Sequence, residues 1–188
     1  MKRVIIVHGL SGSPESDFLP WAKEELEKKG YEVIMPSMPD PDHPQIETWV
    51  PYLKKVVGEP KETDVLVGHS VGCQTILRYL ENLPESQKVD KVILVAGWFS
   101  LTNLDEDETR ALNHWIKAPM GFEKIKIHAN KFIAILSDND LYVPLEENRK
   151  VFEEQLGANI FVEHGKGHFN EMPQERPNIL ELFKDELS

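Results

Sequence analysis

Apolar residues along the chain fall into two alternating rhythms. Short runs rich in Val and Ile recur: RVIIV (3–7), EVIMP (32–36), DVLVG (64–68), KVILVA (91–96), KFIAILS (131–137) and NIFVE (159–163). Each is compact enough to be a strand buried on both faces of a parallel sheet. Longer amphipathic stretches lie between them. PWAKEELEKKG carries Pro20 near its start and Gly30 just past its end, the punctuation of a helix. VGCQTILRYLENL sets Ile76, Leu77, Leu80 and Leu83 on one stripe. PLEENRKVFEEQLG begins with Pro144 and stops before Gly157, and PNILELFKDEL predicts a last helix.

Alternating β and α units predict a compact three-layer α/β domain with a mostly parallel six-stranded sheet, right-handed crossovers and helices on both faces. One domain over residues 1–188 accommodates this, with no internal repeat or interdomain linker. The least regular region runs from residue 97 to 130. A short helix is expected there over Glu106 to Lys117, with flanking loops that either wall a pocket or form a plain crossover.

Composition narrows the function. Of 188 residues, 40% are hydrophobic and 28% charged, ordinary for a globular protein. A net charge of −11 argues against a nucleic-acid or anionic membrane surface, since both recruit clustered Lys and Arg. Cys73 is the sole cysteine, so neither an intrachain disulfide nor a thiolate metal cluster can form within one chain. The apolar run Val4 to Val7 is too short for a secretory signal, which needs roughly seven to fifteen residues, and a cytosolic protein is expected.

Chemistry enters at Gly68-His69-Ser70-Val71-Gly72, a G-x-S-x-G pentapeptide between an expected strand and an expected helix. The pentapeptide alone is weak. In this context the serine sits on a sharp, strained turn with its hydroxyl exposed at the sheet edge. The glycines omit side chains that would strike the neighbouring strand and helix. The helix start leaves the Val71 N–H free beside the hydroxyl.

A serine nucleophile needs a base, and the base an orienting group. In a parallel sheet both come from loops at the carboxyl ends of the strands. SDNDLYVP offers Asp138 and Asp140, and HGKGHF offers His164 and His168. Asp140 is preferred over Asp138, which can cap the turn. His168 is preferred over His164, which lies nearer the strand. The order Ser, Asp, His is that of α/β-hydrolases. The spacing of His164 and His168 could suggest a metal pair, but the two intervening glycines spoil a helical geometry, so no metal is expected.

The first strand delivers His8-Gly9-Leu10-Ser11 to the same edge. Neither dinucleotide nor P-loop phosphate fingerprint is present. The loop instead fits an oxyanion role, with the Leu10 N–H joining that of Val71. Trp98, Phe99, Trp115 and Phe169 are the candidate pocket walls. Cys73, just inside the helix, reads as a small buried hydrophobe.

Over nearly its whole length the chain resembles the family of small serine hydrolases typified by retinoblastoma-binding protein 9 and bacterial YdeN. The resemblance rests on HGLSGS, MPDPDHPQIETWVPYL (38–53), GHSVG, SDNDLYVP and HGKGHF, and extends into NLDEDETRALNHW and FEKIKIHAN. It implies a compact α/β-hydrolase without a large cap domain, with Ser70 as nucleophile, Asp140 as acid and His168 as base. It also implies activity on esters and small amides, including aminoacyl amides, without a cofactor. The L-x-C-x-E motif that engages retinoblastoma protein has no counterpart here, where the region reads KKVVGEPKE (54–62), so that partner is not expected. A catalytically silent scaffold that binds a ligand or protein is the alternative.

Overall fold

A computed structural model describes residues 2–186; Leu187, in the expected last helix, lies outside the described residues. Six strands form one sheet in the order β2-β1-β3-β4-β5-β6. They are β1 (Arg3–Val7), β2 (Glu32–Ile34), β3 (Val65–His69), β4 (Val89–Val95), β5 (Ala129–Ser137) and β6 (Asn159–Glu163). Every neighbouring pair is parallel, with Ile5 opposite Leu66 and Val67 opposite Ile93.

Side-chain alternation along these strands builds two separate cores. Ile5, Val7, Leu66, Val92, Leu94, Ala134 and Leu136 face one side. There they pack against α2 (Ile46–Val57), α3 (Val71–Glu81), α4 (Glu106–Lys117), α5 (Phe122–Lys126) and α6 (Leu145–Leu156). Val4, Ile6, Val65, Val67, Ile93, Val95, Ile133 and Ile135 face the other side, against α1 (Leu19–Lys28) and a final 3₁₀ segment, Ile179–Glu186. This explains why the inner runs are so apolar: β1, β3, β4 and β5 are buried on both faces over most of their length, while the edge strands β2 and β6 are partly exposed.

Four elements depart from expectation, one of them α5, which lies where only loops were expected around α4. The last segment is 3₁₀ rather than α-helical, and it seats Ile179 and Phe183 in the second core. The second strand ends at Ile34, two residues early, ahead of Pro36. Helix α2 was not foreseen, because Pro51 lies inside it. The proline is tolerated because its ring is exposed, so water can reach the carbonyl that loses its partner. Its amphipathic face buries Trp49, Val50, Leu53 and Val57. In the irregular region, α4 covers the expected residues. Asp105 starts it by accepting from the Glu108 N–H, while the Glu108 carboxylate accepts from the Asp105 N–H.

Buried Arg78 of α3 holds the other end of α4. Its guanidinium donates to the carbonyls of Trp115, Ala118 and Pro119, at 3.1, 3.0 and 3.1 Å. A cation suits the negative end of a helix dipole, and these carbonyls have no intrahelical donor. Replacing Arg78 by Met should lower unfolding free energy by about 2–4 kcal/mol. Urea denaturation checks this, as a reduced midpoint at unchanged slope.

Candidate active site

The local backbone around Ser70 is set by close approach. The first turn of α3 lies so near β1 that a Cβ on Gly72 would collide with the carbonyl oxygen of Val7 and stand 2.7 Å from that of His8. A Cβ on Gly68 would sit 2.7 Å from the Cα and N of Cys73. Between them Ser70 adopts φ 52° and ψ −120°, strained for a residue with a side chain. Its N–H is anchored on the Val95 carbonyl at 3.0 Å. Its hydroxyl has no hydrogen-bond partner among the described residues and borders the main cleft.

Two loops meet across that cleft. The Asp140 carboxylate is almost wholly buried, and its Oδ2 lies 2.8 Å from Nδ1 of His168. Its Oδ1 accepts the N–H groups of Tyr142 and Val143, at 2.9 and 3.1 Å. A carboxylate acceptor requires His168 to carry a proton on Nδ1, so that Nε2 is the acceptor in the neutral imidazole. Ser70 and His168 both line the cleft, as do Leu10 and the Tyr142 ring, which stands edge-on to His168 at 5.4 Å.

The two residues set aside from the sequence pair with each other. His164 Nδ1 lies 2.6 Å from Asp138, which also accepts the Gly165 N–H. These interactions lower the Asp138 pKa, the Gly165 bond most and the His164 bond next. Ser137 and Asn139 accept from the N–H groups of Lys166 and Gly167. The β5 and β6 loops are therefore laced side to side, with the exposed pair outside and Asp140–His168 inside. His164 and His168 turn to different carboxylates rather than towards a shared ion.

Val71 is the first residue of α3, so its N–H has no intrahelical acceptor. The Leu10 N–H likewise has no acceptor among the described residues. Its loop is held by buried His8, whose Nδ1–H donates to the Gly9 carbonyl at 2.8 Å while Nε2 accepts the Met38 N–H at 3.1 Å. The Ser11 N–H bonds to Pro41, tying this loop to the one before α2.

The expected pocket walls lie elsewhere. Trp98 and Trp115 are buried in the first core and Phe169 in the second. Phe99 stacks on Phe152 at 4.7 Å, with its N–H fixed by buried Asn148. The loop after β4 carries its large aromatics inward, because the crossover to α4 needs a packed anchor. The walls of the 580 Å³ cleft are instead Leu101, Leu104, Ala111, Leu112 and Tyr142, with Asp42, Asp105, Asp107 and Glu108 towards the mouth. Cys73 is buried, and burial raises its thiol pKa well above the usual range.

An all-parallel sheet between two helical layers, with a strained serine where β3 turns into α3, has the fold of an α/β-hydrolase. Residues 4–179 match the serine hydrolase family, and the chain belongs to it. YdeN of Bacillus subtilis (strain 168), named as a hydrolase, is 32% identical over 174 residues, 90% of this chain and 87% of that protein. The crystal structure of the B. subtilis ydeN product superposes with a TM-score of 0.88 at 28% identity, covering 98% of both chains. The fold also matches a carboxylesterase of the thaumarchaeon Nitrososphaera gargenis (TM-score 0.72, 16% identity, 97% of this chain and 89% of the other). Est1E from Butyrivibrio proteoclasticus, solved with ferulic acid, gives 0.71 at 14% identity, covering 98% and 87%. Among the described residues, no helix is long and apolar enough to cross a membrane.

Burial drives the His8 pKa down, outweighing the opposing bond to Gly9. The unfolded chain therefore takes up this proton more readily than the native state. Stability should fall as pH drops below the ordinary histidine value of about 6.5. Protonating Nε2 also removes the acceptor for Met38. In His8→Gln, the slope of unfolding free energy against pH below that value should shrink by at most about 1.4 kcal/mol per pH unit, read from denaturation curves at successive pH values.

Proposed function

We propose that this chain hydrolyses small carboxylic esters and aminoacyl amides through a Ser70–His168–Asp140 triad and an acyl-enzyme intermediate. The observation that carries the reading is the 2.8 Å bond from His168 to buried Asp140, in the same cleft as Ser70 with its positive φ. His168 Nε2 takes the Ser70 proton as the hydroxyl oxygen attacks the acyl carbonyl. Asp140 holds the imidazole tautomer and stabilises the imidazolium that forms. The N–H groups of Leu10 and Val71 receive the oxyanion. His168 then returns the proton to the leaving group. It next takes a proton from water as that water attacks the acyl-enzyme, and gives the proton to Ser70 Oγ as the carboxylic acid leaves. No cofactor is needed for these steps.

A fluorophosphonate probe should label Ser70 and lose its target in Ser70→Ala. Turnover of p-nitrophenyl acetate should fall to background in Ser70→Ala and His168→Ala. In Asp140→Asn, kcat should drop by about 10³–10⁴, because an amide facing Nδ1 favours the wrong tautomer. Undiminished turnover in Ser70→Ala, or none in the unaltered chain across a panel of short esters and amides, would reject the reading.

The walls also make a statement about substrate charge. Leu101, Leu104 and Leu112 offer apolar surface, while the lining also holds five carboxylates, Asp17, Asp42, Asp105, Asp107 and Glu108, against the guanidinium of Arg110, itself bonded to Asp107 at 2.8 Å. Cationic esters should be turned over with kcat/KM about 3- to 30-fold above anionic esters of equal size at low salt. The ratio should shrink as ionic strength rises through 0.1 M, where the screening length is about 10 Å. Paired esters differing in one charged group measure it.

A further inference from the structure

We propose that buried His69, which lies outside the reacting groups with the Asp17 carboxylate beside it, positions His168 for chemistry at Ser70. The inference rests on the triad reading above and concerns residues that reading leaves unused.

His69 ends β3, directly before Ser70, and only 3% of it is exposed. A buried imidazole there is costly unless its nitrogens are used. Its Nε2 lies 2.8 Å from the backbone carbonyl of His168. A carbonyl can only accept, so Nε2 is the donor. The two rings stand 5.3 Å apart. Nδ1 lies 3.2 Å from a carboxylate oxygen of Asp17, although the approach is too oblique for a hydrogen bond. The Phe18 ring packs edge-on to His69 at 5.4 Å.

One side chain thus meets three loops: it lies beside Asp17 of the loop after β1, belongs to the elbow itself, and is hydrogen-bonded to the loop after β6 through the His168 carbonyl. The contact to His168 matters most. Asp140 fixes Nδ1 of the His168 ring but not the Cα from which the ring hangs. That backbone lies in a loop where Gly167 and Phe169, on either side of His168, both have positive φ. The bond from His69 holds it against the segment that carries Ser70. Two anchors, one on the ring and one on the main chain, define where Nε2 points. Misplacement of a reacting group by about 1 Å can cost a hundredfold in rate.

Three variants test this. His69→Leu fills the space without a donor, His69→Gln returns an N–H at the position of Nε2, and Asp17→Ala releases the far side. Two readouts are compared: kcat and KM with p-nitrophenyl acetate, and amide hydrogen exchange over residues 164–170, where the N–H groups of 165, 166, 167, 169 and 170 are bonded. In His69→Leu, exchange should quicken about tenfold or more, and kcat should fall ten- to a hundredfold with KM changed less than threefold. His69→Gln should recover most of both, and Asp17→Ala should show a smaller loss in the same direction. Unchanged exchange in His69→Leu would overturn the proposal. So would quicker exchange at undiminished kcat, or a Gln variant as impaired as Leu with an equal thermal midpoint. Should His69→Leu not fold, the Gln and Asp17→Ala variants decide: impaired kcat in Gln, or none in Asp17→Ala, would reject it. Failure of the triad reading is distinct, because the unaltered chain would then lack Ser70-dependent turnover, and the positioning role would fall with it.

Discussion

The close approach of the first turn of α3 to β1 is the constraint on which the rest of this molecule depends. Two glycines let helix and strand come within distances that no side chain would permit, and the turn between them must then be sharp. That forces Ser70 into a backbone conformation an ordinary residue avoids. The strain, of order 1–3 kcal/mol, persists because the sheet on one side and the helix on the other over-determine the turn. In return, a hydroxyl and an unbonded N–H face the same space.

Around that turn the fold works by assembling loops rather than by presenting a rigid surface. Each loop at the carboxyl edge of the sheet is tied to another by a side chain from outside its own segment. His8 holds the first loop to Met38, Asn148 holds the loop after β4 to α6, and Ser137, Asp138 and Asn139 hold the loop after β6. Polar atoms buried in such places would be costly alone, and their mutual satisfaction makes the arrangement specific. The amino edge of the sheet has its own fastening, where Arg3 reaches fully buried Asp64 at 2.9 Å.

Much of the architecture was legible in the residues because its signals were strong and local. Doubly buried strands must be continuous Val/Ile runs, and α4 carried its own start signal in Asp105 and Glu108. Helix α2 was obscured by Pro51, whose exposed position is a tertiary fact. The final segment shows helical periodicity, but 3₁₀ and α patterns scarcely differ over eight residues. At the site, the G-x-S-x-G turn and the two acid–histidine loops stood out by motif. The pocket walls did not. A tryptophan gives no sign of which way it faces, so Trp98 and Trp115 were read as lining although they are core. The true walls, Leu104, Ala111 and Leu112, look like any helix stripe. Asp17 and His69 lie 52 positions apart and belong to no motif that would link them.

The mooring of α4 has a consequence for how such an enzyme diversifies. This helix supplies much of the cleft wall, yet Arg78 grips it through main-chain carbonyls, which are the same whatever residues the helix carries. Its cleft-facing positions can therefore be exchanged during evolution without disturbing the attachment or the turn at Ser70. On the function proposed above, the part that chooses a substrate is thus held apart from the part that transforms it, and selection can rewrite one while the other stands still.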